Sequence, residues 1–243
     1  MRRFVSEAAS ISAIIIVVIA IAVVIGRFHQ EPPPVPRVTV TIPEGSTVSD
    51  INRILSDAGV LQGEKLSQGL EGYLFPDTYE FFVPSGISVI EEKFRENFDS
   101  KIENLSLGDI SEEKMANIIT IASLVEKEVS DPNDRKVVAG IIEKRLAHDM
   151  LLQIDASICY VKESPCLPIT EEDKNIDSPY NTYKYIGLPP GPIDNPGIDA
   201  IEAAVNPIQT AYWYYISSPE TGETIFSKTL DEQNSNIVKY LGN

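Results

Sequence analysis

Ala8 to Gly26 reads AASISAIIIVVIAIAVVIG, a run of nineteen residues without a charge. A helix of that length just crosses a hydrocarbon core of ~30 Å. A helix that is apolar on every side must be covered, and no other stretch of the chain is apolar enough to cover it. No A-x-A-like cleavage site follows, so the run is expected to be a retained anchor rather than a removed signal peptide. Arg2 and Arg3 precede it, whereas Arg27 after it is offset by Glu31. That bias predicts a cytoplasmic N-terminus and a single pass, with the bulk of the chain outside. EPPPVP (Glu31 to Pro36) then reads as a stiff spacer holding a domain off the membrane.

Beyond the spacer, charge and composition exclude several chemistries. The net charge of −16 leaves no basic stripe for phosphates, so nucleic acid is not an expected partner. His29 and His148 are the two histidines. They give Ser-His-Asp catalysis little to draw on, and neither stands in a metal-ligand spacing. Two cysteines alone cannot build a structural zinc site, and neither a metal nor another cofactor is expected.

The remaining chain predicts an α+β fold. Val38 to Ile42 alternates like a strand, Pro43-Glu44-Gly45 turns, and Thr47 caps a helix carrying Val48, Ile51, Leu55 and Ala58. One strand and one helix bury little alone, so this unit must dock on something. Glu71 to Val83 leads through aromatics into a strand, and Ile90, Phe94, Phe98 and Ile102 give a helical face. Asp131 and Pro132 start a helix running to about His148, and Leu151 to Val161 reads as a strand with Gln153 and Asp155 embedded in it. Ser178 to Gly197 is too rich in proline and glycine for a regular element, yet too apolar for a floppy linker. A rigid loop of this kind suits the wall of a cleft. A short helix to Val205, a hairpin around PETGE and a closing helix from Thr229 to Leu241 complete the chain.

Between these elements lies Ser111 to Val129, SEEKMANIITIASLVEKEV. Ser111 caps it, and Ile110 can staple onto Met115. At 100° per residue, Met115, Ile118, Ile119, Ala122, Val125 and Val129 share one arc. Glu126 falls inside that arc, with Glu128 at its far edge beside Ile121. A charged, unpaired carboxylate there would cost several kcal/mol, which favours the protonated form, and a carboxyl protonated near neutral pH can act as a general acid. Two other readings stand beside this one: an ion pair with a basic residue in the core, or a helix end open to water.

EGYLFPDTYEF, IASLVEKE, LQIDASICY, SPYNTYKYIGLPPGPIDNPG and AAVNP occur here in the order found in the YceG-like (MltG-type) endolytic murein transglycosylases, which this chain resembles from about Val38 to Leu241. The resemblance implies a bacterial inner-membrane enzyme acting outside the cytoplasm on the glycan strands of peptidoglycan. Such an enzyme cleaves between N-acetylmuramic acid and N-acetylglucosamine without water, leaves 1,6-anhydromuramic ends, and has cell-wall synthases as potential partners. It also implies a domain plan of tip and anchor over 1–26, linker over 27–37, a shortened LysM-like βα unit over 38–70, and a mixed α/β catalytic domain over 71–243. Read onto this sequence, the first glutamate of VEKE, Glu126, becomes the catalytic carboxyl. Gln153, Asp155, Asn181 and Thr182 become partners that orient sugars, and Tyr73, Tyr180 and Tyr183 become contacts to the glycan. Two rival readings remain: a hydrolase using Glu126 with Asp155 as a carboxylate pair, and a non-catalytic wall-binding scaffold with Glu126 ion-paired and no cleft around it. Cys159 and Cys166 either close a short loop, worth roughly 2–3 kcal/mol, or stay a buried thiol and an incidental one.

Overall fold

The computed structural model describes Val18 and residues 35–105, 107–162, 166 and 168–242. The expected anchor and nearly all of the expected linker lie outside the described residues; among those described, no helix is long and apolar enough to cross a membrane. Residues from Arg37 onward form one compact unit of mixed α/β structure with two small antiparallel sheets.

β1 (Arg37–Thr41) pairs with β2 (Thr78–Phe82), Arg37 opposite Phe82 and Thr41 opposite Thr78. α1 (Val48–Asp57) packs beneath them and opens with a reciprocal cap: Thr47 accepts from the Asp50 amide, and the Asp50 carboxylate accepts from the Thr47 amide. Its period-3.6 face, Val48, Ile51 and Leu55, is fully buried. α2 (Ile87–Glu103) completes this first core with Ile90 and Phe94. The βα unit expected over 38–70 therefore finds its docking partners in β2 and α2, beyond residue 70.

The second core surrounds α3 (Glu112–Glu128). Ser111 caps it, accepting from the Lys114 amide at 3.2 Å. Every residue from Ile118 to Val125 is buried, because α4 (Pro132–Leu146) and α6 (Ile198–Val205) both pack on it. A helix enclosed on all sides has no single buried arc. Asp131 caps α4, accepting from the amides of Asn133 and Asp134 at 2.9 and 3.1 Å, with Pro132 in the first turn as the sequence predicts.

The strand expected over Leu151 to Val161 is not one. Its first four residues, Leu151 to Ile154, form no regular element, and α5 (Asp155–Lys162) follows. Gln153 takes a left-handed φ of 55°, which breaks the alternation, and the amides of Gln153 and Ile154 bond to Thr182 rather than to a strand. The buried positions Ile154, Ser157 and Ile158 then follow helical spacing. Cys159 on α5 is disulfide-bonded to Cys166, which is the bridged reading of the two cysteines. The loop over 178–197 is packed as expected, with Asn181, Asp194 and Asn195 wholly buried. β3 (Tyr214–Ser217) and β4 (Thr224–Ser227) form the hairpin, and α7 (Leu230–Leu241) closes the unit with Thr229 as its cap.

One position tests how α4 fits its neighbour. A Cβ on Gly140 would stand 2.0 Å from the Ile208 carbonyl oxygen. Gly140→Ala is expected to destabilise the domain by about 1–3 kcal/mol, despite its better helix propensity, because the backbones must separate. Urea titration of parent and variant measures it; a variant as stable as the parent would show that the 207–212 segment yields freely.

Candidate active site

α3 ends on Glu126, Lys127 and Glu128, and ~200° of helix rotation separates the two glutamates. They meet different surroundings. Glu126 faces α4 and the start of α6. Its Oε1 accepts from Arg135 Nη2 at 2.8 Å and its Oε2 from the Gly197 amide at 3.0 Å, with both side chains of the ion pair less than a tenth exposed. Arg135 is held in turn by the Val129 carbonyl, to which its Nε donates at 3.0 Å. Glu126 is thus neither unpaired nor aimed at a cavity. Its place in the arc is occupied by a core ion pair, one of the readings the sequence left open.

Glu128 faces a cleft of about 1430 Å³, whose lining includes Glu71, Lys127, Glu128, Arg145, Gln153, Asp155, Tyr160, Tyr183 and Tyr215 but not Glu126. Burial pushes its carboxyl up to about 7. The Tyr215 hydroxyl, donating to Oε2 at 2.7 Å, pulls the other way, the charge of Asp155 adds to the rise, and Arg145 opposes it. Desolvation outweighs the single hydrogen bond. Asp155, at the start of α5, accepts a short hydrogen bond from the Tyr183 hydroxyl. Arg145, near the end of α4, is buried and anchored to two backbone segments: Nε donates to the Trp213 carbonyl at 2.9 Å and Nη1 to the Leu152 carbonyl at 2.6 Å. Those carbonyls carry the hairpin and the α5 wall to the same place.

A second carboxyl, Glu71, lies further along the cleft. It accepts from the first amide of α1 (Val48, 3.0 Å) and from Asn195 Nδ2 at 2.9 Å, and burial raises it to about 7 as well. Tyr160 beside it packs on Tyr180, ring centroids 4.9 Å apart.

Among the residues singled out from the sequence, Gln153, Asp155 and Tyr183 come together around this cleft. Tyr73 packs on Phe98, with centroids 5.2 Å apart, and is not among the cleft-lining residues. Asn181 is wholly buried and donates to the carbonyls of Lys174 and Ile176 at 3.0 and 2.8 Å. Thr182 is buried too, its hydroxyl accepting from the Ile154 amide at 2.9 Å. Thr182 fixes the loop against α5, and Asn181 ties it to the turn over 174–176; neither opens to solvent. Sequence reasoning passed over Lys127, Arg145, Tyr215 and the role of Glu128. The available signal for Glu128 was its alignment with Ile121 and Leu124 on a face opposite Glu126.

The sequence model of the YceG-like family matches residues 20–239. This chain belongs to the YceG-like family. Two curated members named endolytic murein transglycosylase, from Streptococcus pneumoniae and Bacillus subtilis, are each 36% identical to it over 181 residues. The matches cover 71% and 73% of this chain but 32% and 50% of those proteins, so the chain spans half their length or less. A crystal structure of a YceG-like protein from Listeria monocytogenes superposes with a TM-score of 0.70 at 31% identity, over 84% of this chain and 76% of that one. The mixed α/β fold is thus the YceG-like fold.

The two glutamates of this YceG-like chain predict opposite stabilities. Glu126→Gln leaves Arg135 buried without its counter-charge and should cost about 3–5 kcal/mol. Glu128 has a raised folded pKa, so it costs stability as pH rises past the ordinary carboxyl range, and the cost levels off above about 7. Glu128→Gln should therefore gain up to on the order of 3 kcal/mol at pH 8 and nothing near pH 4. Chemical denaturation of both variants at the two pH values reads this; equal behaviour would mean the two carboxyls share an environment.

Proposed function

We propose that this chain is a membrane-anchored endolytic peptidoglycan lytic transglycosylase in which Glu128, not Glu126, is the general acid and then the general base. The supporting observation is a carboxyl biased toward its protonated form near neutral pH, facing an open cleft, in a chain whose named relatives are murein transglycosylases. Protonated Glu128 donates to the glycosidic oxygen as the bond from C1 of N-acetylmuramic acid breaks. Its carboxylate then takes the proton from the sugar's own 6-hydroxyl as that oxygen bonds to C1. The 1,6-anhydro product forms without water, and Glu128 ends protonated as it began. Tyr215 and Arg145 hold the carboxylate between the two steps, with Arg145 itself fixed by the Trp213 and Leu152 carbonyls.

Gln153, Asp155 and Tyr183 contact sugar in this reading, Tyr160 and Tyr180 extend the aromatic surface, and Asn181 and Thr182 position the loop. Tyr73 serves the core. Thr47, Ser49 and Asp50 of the βα unit are among the cleft-lining residues, so that unit contributes to the same site in this reading. The anchor at Ala8 to Gly26 puts this site on the outer face of the inner membrane, within reach of cell-wall synthases. Protease added to spheroplasts should then digest the chain beyond Pro36, and full protection would reverse the orientation.

One observation favours a second reading. Asp155 shares the cleft with Glu128, and a carboxylate pair with a water between them would hydrolyse the same bond. Mass spectrometry of digested sacculi separates the two, because anhydro ends and reducing ends differ by one water. Anhydro ends are expected. Glu128→Gln should lower their release at least ~100-fold, the usual contribution of a general acid. The parent's kcat/KM should hold below about pH 7 and fall roughly tenfold per unit above it. Tyr215→Phe removes a bond that lowers the Glu128 pKa, so its alkaline limb should move to higher pH. A limb that stays put would detach Glu128 from the profile.

A further inference from the structure

Cleft-lining residues include the acids Asp50, Glu71, Glu128 and Asp155 and two cations, Lys127 and Arg145. Arg145 is 6% exposed and tied to backbone carbonyls. Lys127 is different. Its side chain is 40% exposed, and its ammonium donates to the Gly45 carbonyl at 2.6 Å, which leaves two of three protons free. Among the described residues the carboxyl within ion-pairing reach is Asp194, whose Oδ2 lies 3.9 Å away, beyond a hydrogen bond. Asp194 is wholly buried, neither of its oxygens has a hydrogen-bond partner, and burial pushes its carboxyl well up, toward the neutral form. The ammonium's charge is therefore not cancelled from within. On a chain of net charge −16, an anion entering this cleft meets repulsion except at such a point.

We infer that Lys127 is a specificity-determining residue that binds a carboxylate carried by the muramyl sugars of the strand. The inference rests on the reading of the cleft as a glycan site and goes beyond it. Muramyl residues alternate with neutral glucosaminyl residues. A cation one residue before the acid Glu128 thus sets the register in which a strand lies, and with it which of the two kinds of glycosidic bond meets Glu128. The carboxylate has two sources: the lactyl group of peptide-free strands, or the stem peptide of peptide-bearing ones.

The test uses the full-length chain carrying Glu128→Gln, so that strands bind without being cut. Titration calorimetry compares peptide-free strands, peptide-bearing strands and N-acetylglucosamine oligomers of equal length. Adding Lys127→Met should weaken at least one carboxylate-bearing ligand tenfold or more and leave the neutral oligomers within twofold. Lys127→Arg should restore most of the loss. The arm that falls identifies the source of the carboxylate. Should the methionine variant lose its cooperative melt, Lys127→Gln, which keeps a donor for Gly45, replaces it. Equal weakening of all three ligands, or no weakening of either carboxylate-bearing one, overturns the inference while the glycan site stands. Failure of the Glu128→Gln parent to bind any of the three removes the glycan site itself, and the inference with it.

Discussion

The buried ion pair between Glu126 and Arg135, closed by the Gly197 amide, is the joint on which the site depends. It binds the end of α3 to α4 and to the start of α6, elements whose other contacts are largely apolar. Apolar contact alone would let α3 rotate or slide at small cost, since many packings bury similar area. An ion pair with a fixed hydrogen-bond geometry does not allow that. Its net contribution to stability is modest, because two charges had to be desolvated to make it. Its effect is on register: with Glu126 locked on one side, Glu128 is directed to the other, into the cleft. The same loop carries Ile193, whose amide donates to Ser123 of α3 at 3.0 Å, and Asn195, which bonds Ser46, Glu71 and Leu74. The orientation of one helix end thus propagates to both cores.

Two carboxyls in the cleft are raised to about the same degree, and their bonding separates their roles. Glu71 is 5% exposed and accepts from the α1 amide, Asn195 and, weakly, Tyr160. Burial still outweighs those bonds, yet a group so fully engaged has no oxygen to offer a substrate. Glu128 has one hydrogen-bond donor, Tyr215, and an open cleft before it. Similar electrostatics therefore support a joint in one case and, on the reading proposed above, a proton donor in the other. Asp155 adds to the rise at Glu128, and its own carboxyl accepts from the Tyr183 hydroxyl.

Local chemistry was readable from the residues alone. Ser111, Thr47 and Asp131 with Pro132 marked helix starts that the structure reproduces, and the hairpin and the packed proline-glycine loop lie where their turn residues put them. The failures share one cause. Periodicity treats an element as if it had one buried face, whereas α3 is buried on every side from Ile118 to Val125. The arc therefore identified a charge in the core without saying whether a partner awaited it, and Arg135, nine residues on, was invisible to it. Leu151 to Val161 fails similarly: an apolar run beginning with alternation reads as a strand, but Gln153 turns left-handed and Thr182 supplies the hydrogen bonds a neighbouring strand would have supplied. Asn181 and Thr182 were recognised as significant; that their polar atoms serve the loop depends on contacts distant in sequence.

In the reaction proposed for this cleft, the nucleophile at C1 is either the sugar's 6-hydroxyl or a water. The 6-hydroxyl is already attached to the reacting ring, so its attack forgoes the translational cost that a water must meet; well-oriented intramolecular attack corresponds to effective concentrations of about 10⁵ M and more. A hydrolase overcomes that disadvantage by holding a water with a dedicated base. Here the second carboxyl, Asp155, already accepts from the Tyr183 hydroxyl, so in the proposed reaction it is not standing free as a dedicated base. In the proposed reaction Glu128 moves a proton in both steps, and no second base has to be freed. On the proposed reading of Glu128 as the acid, the bond that Tyr183 makes to Asp155 favours ring closure over hydrolysis.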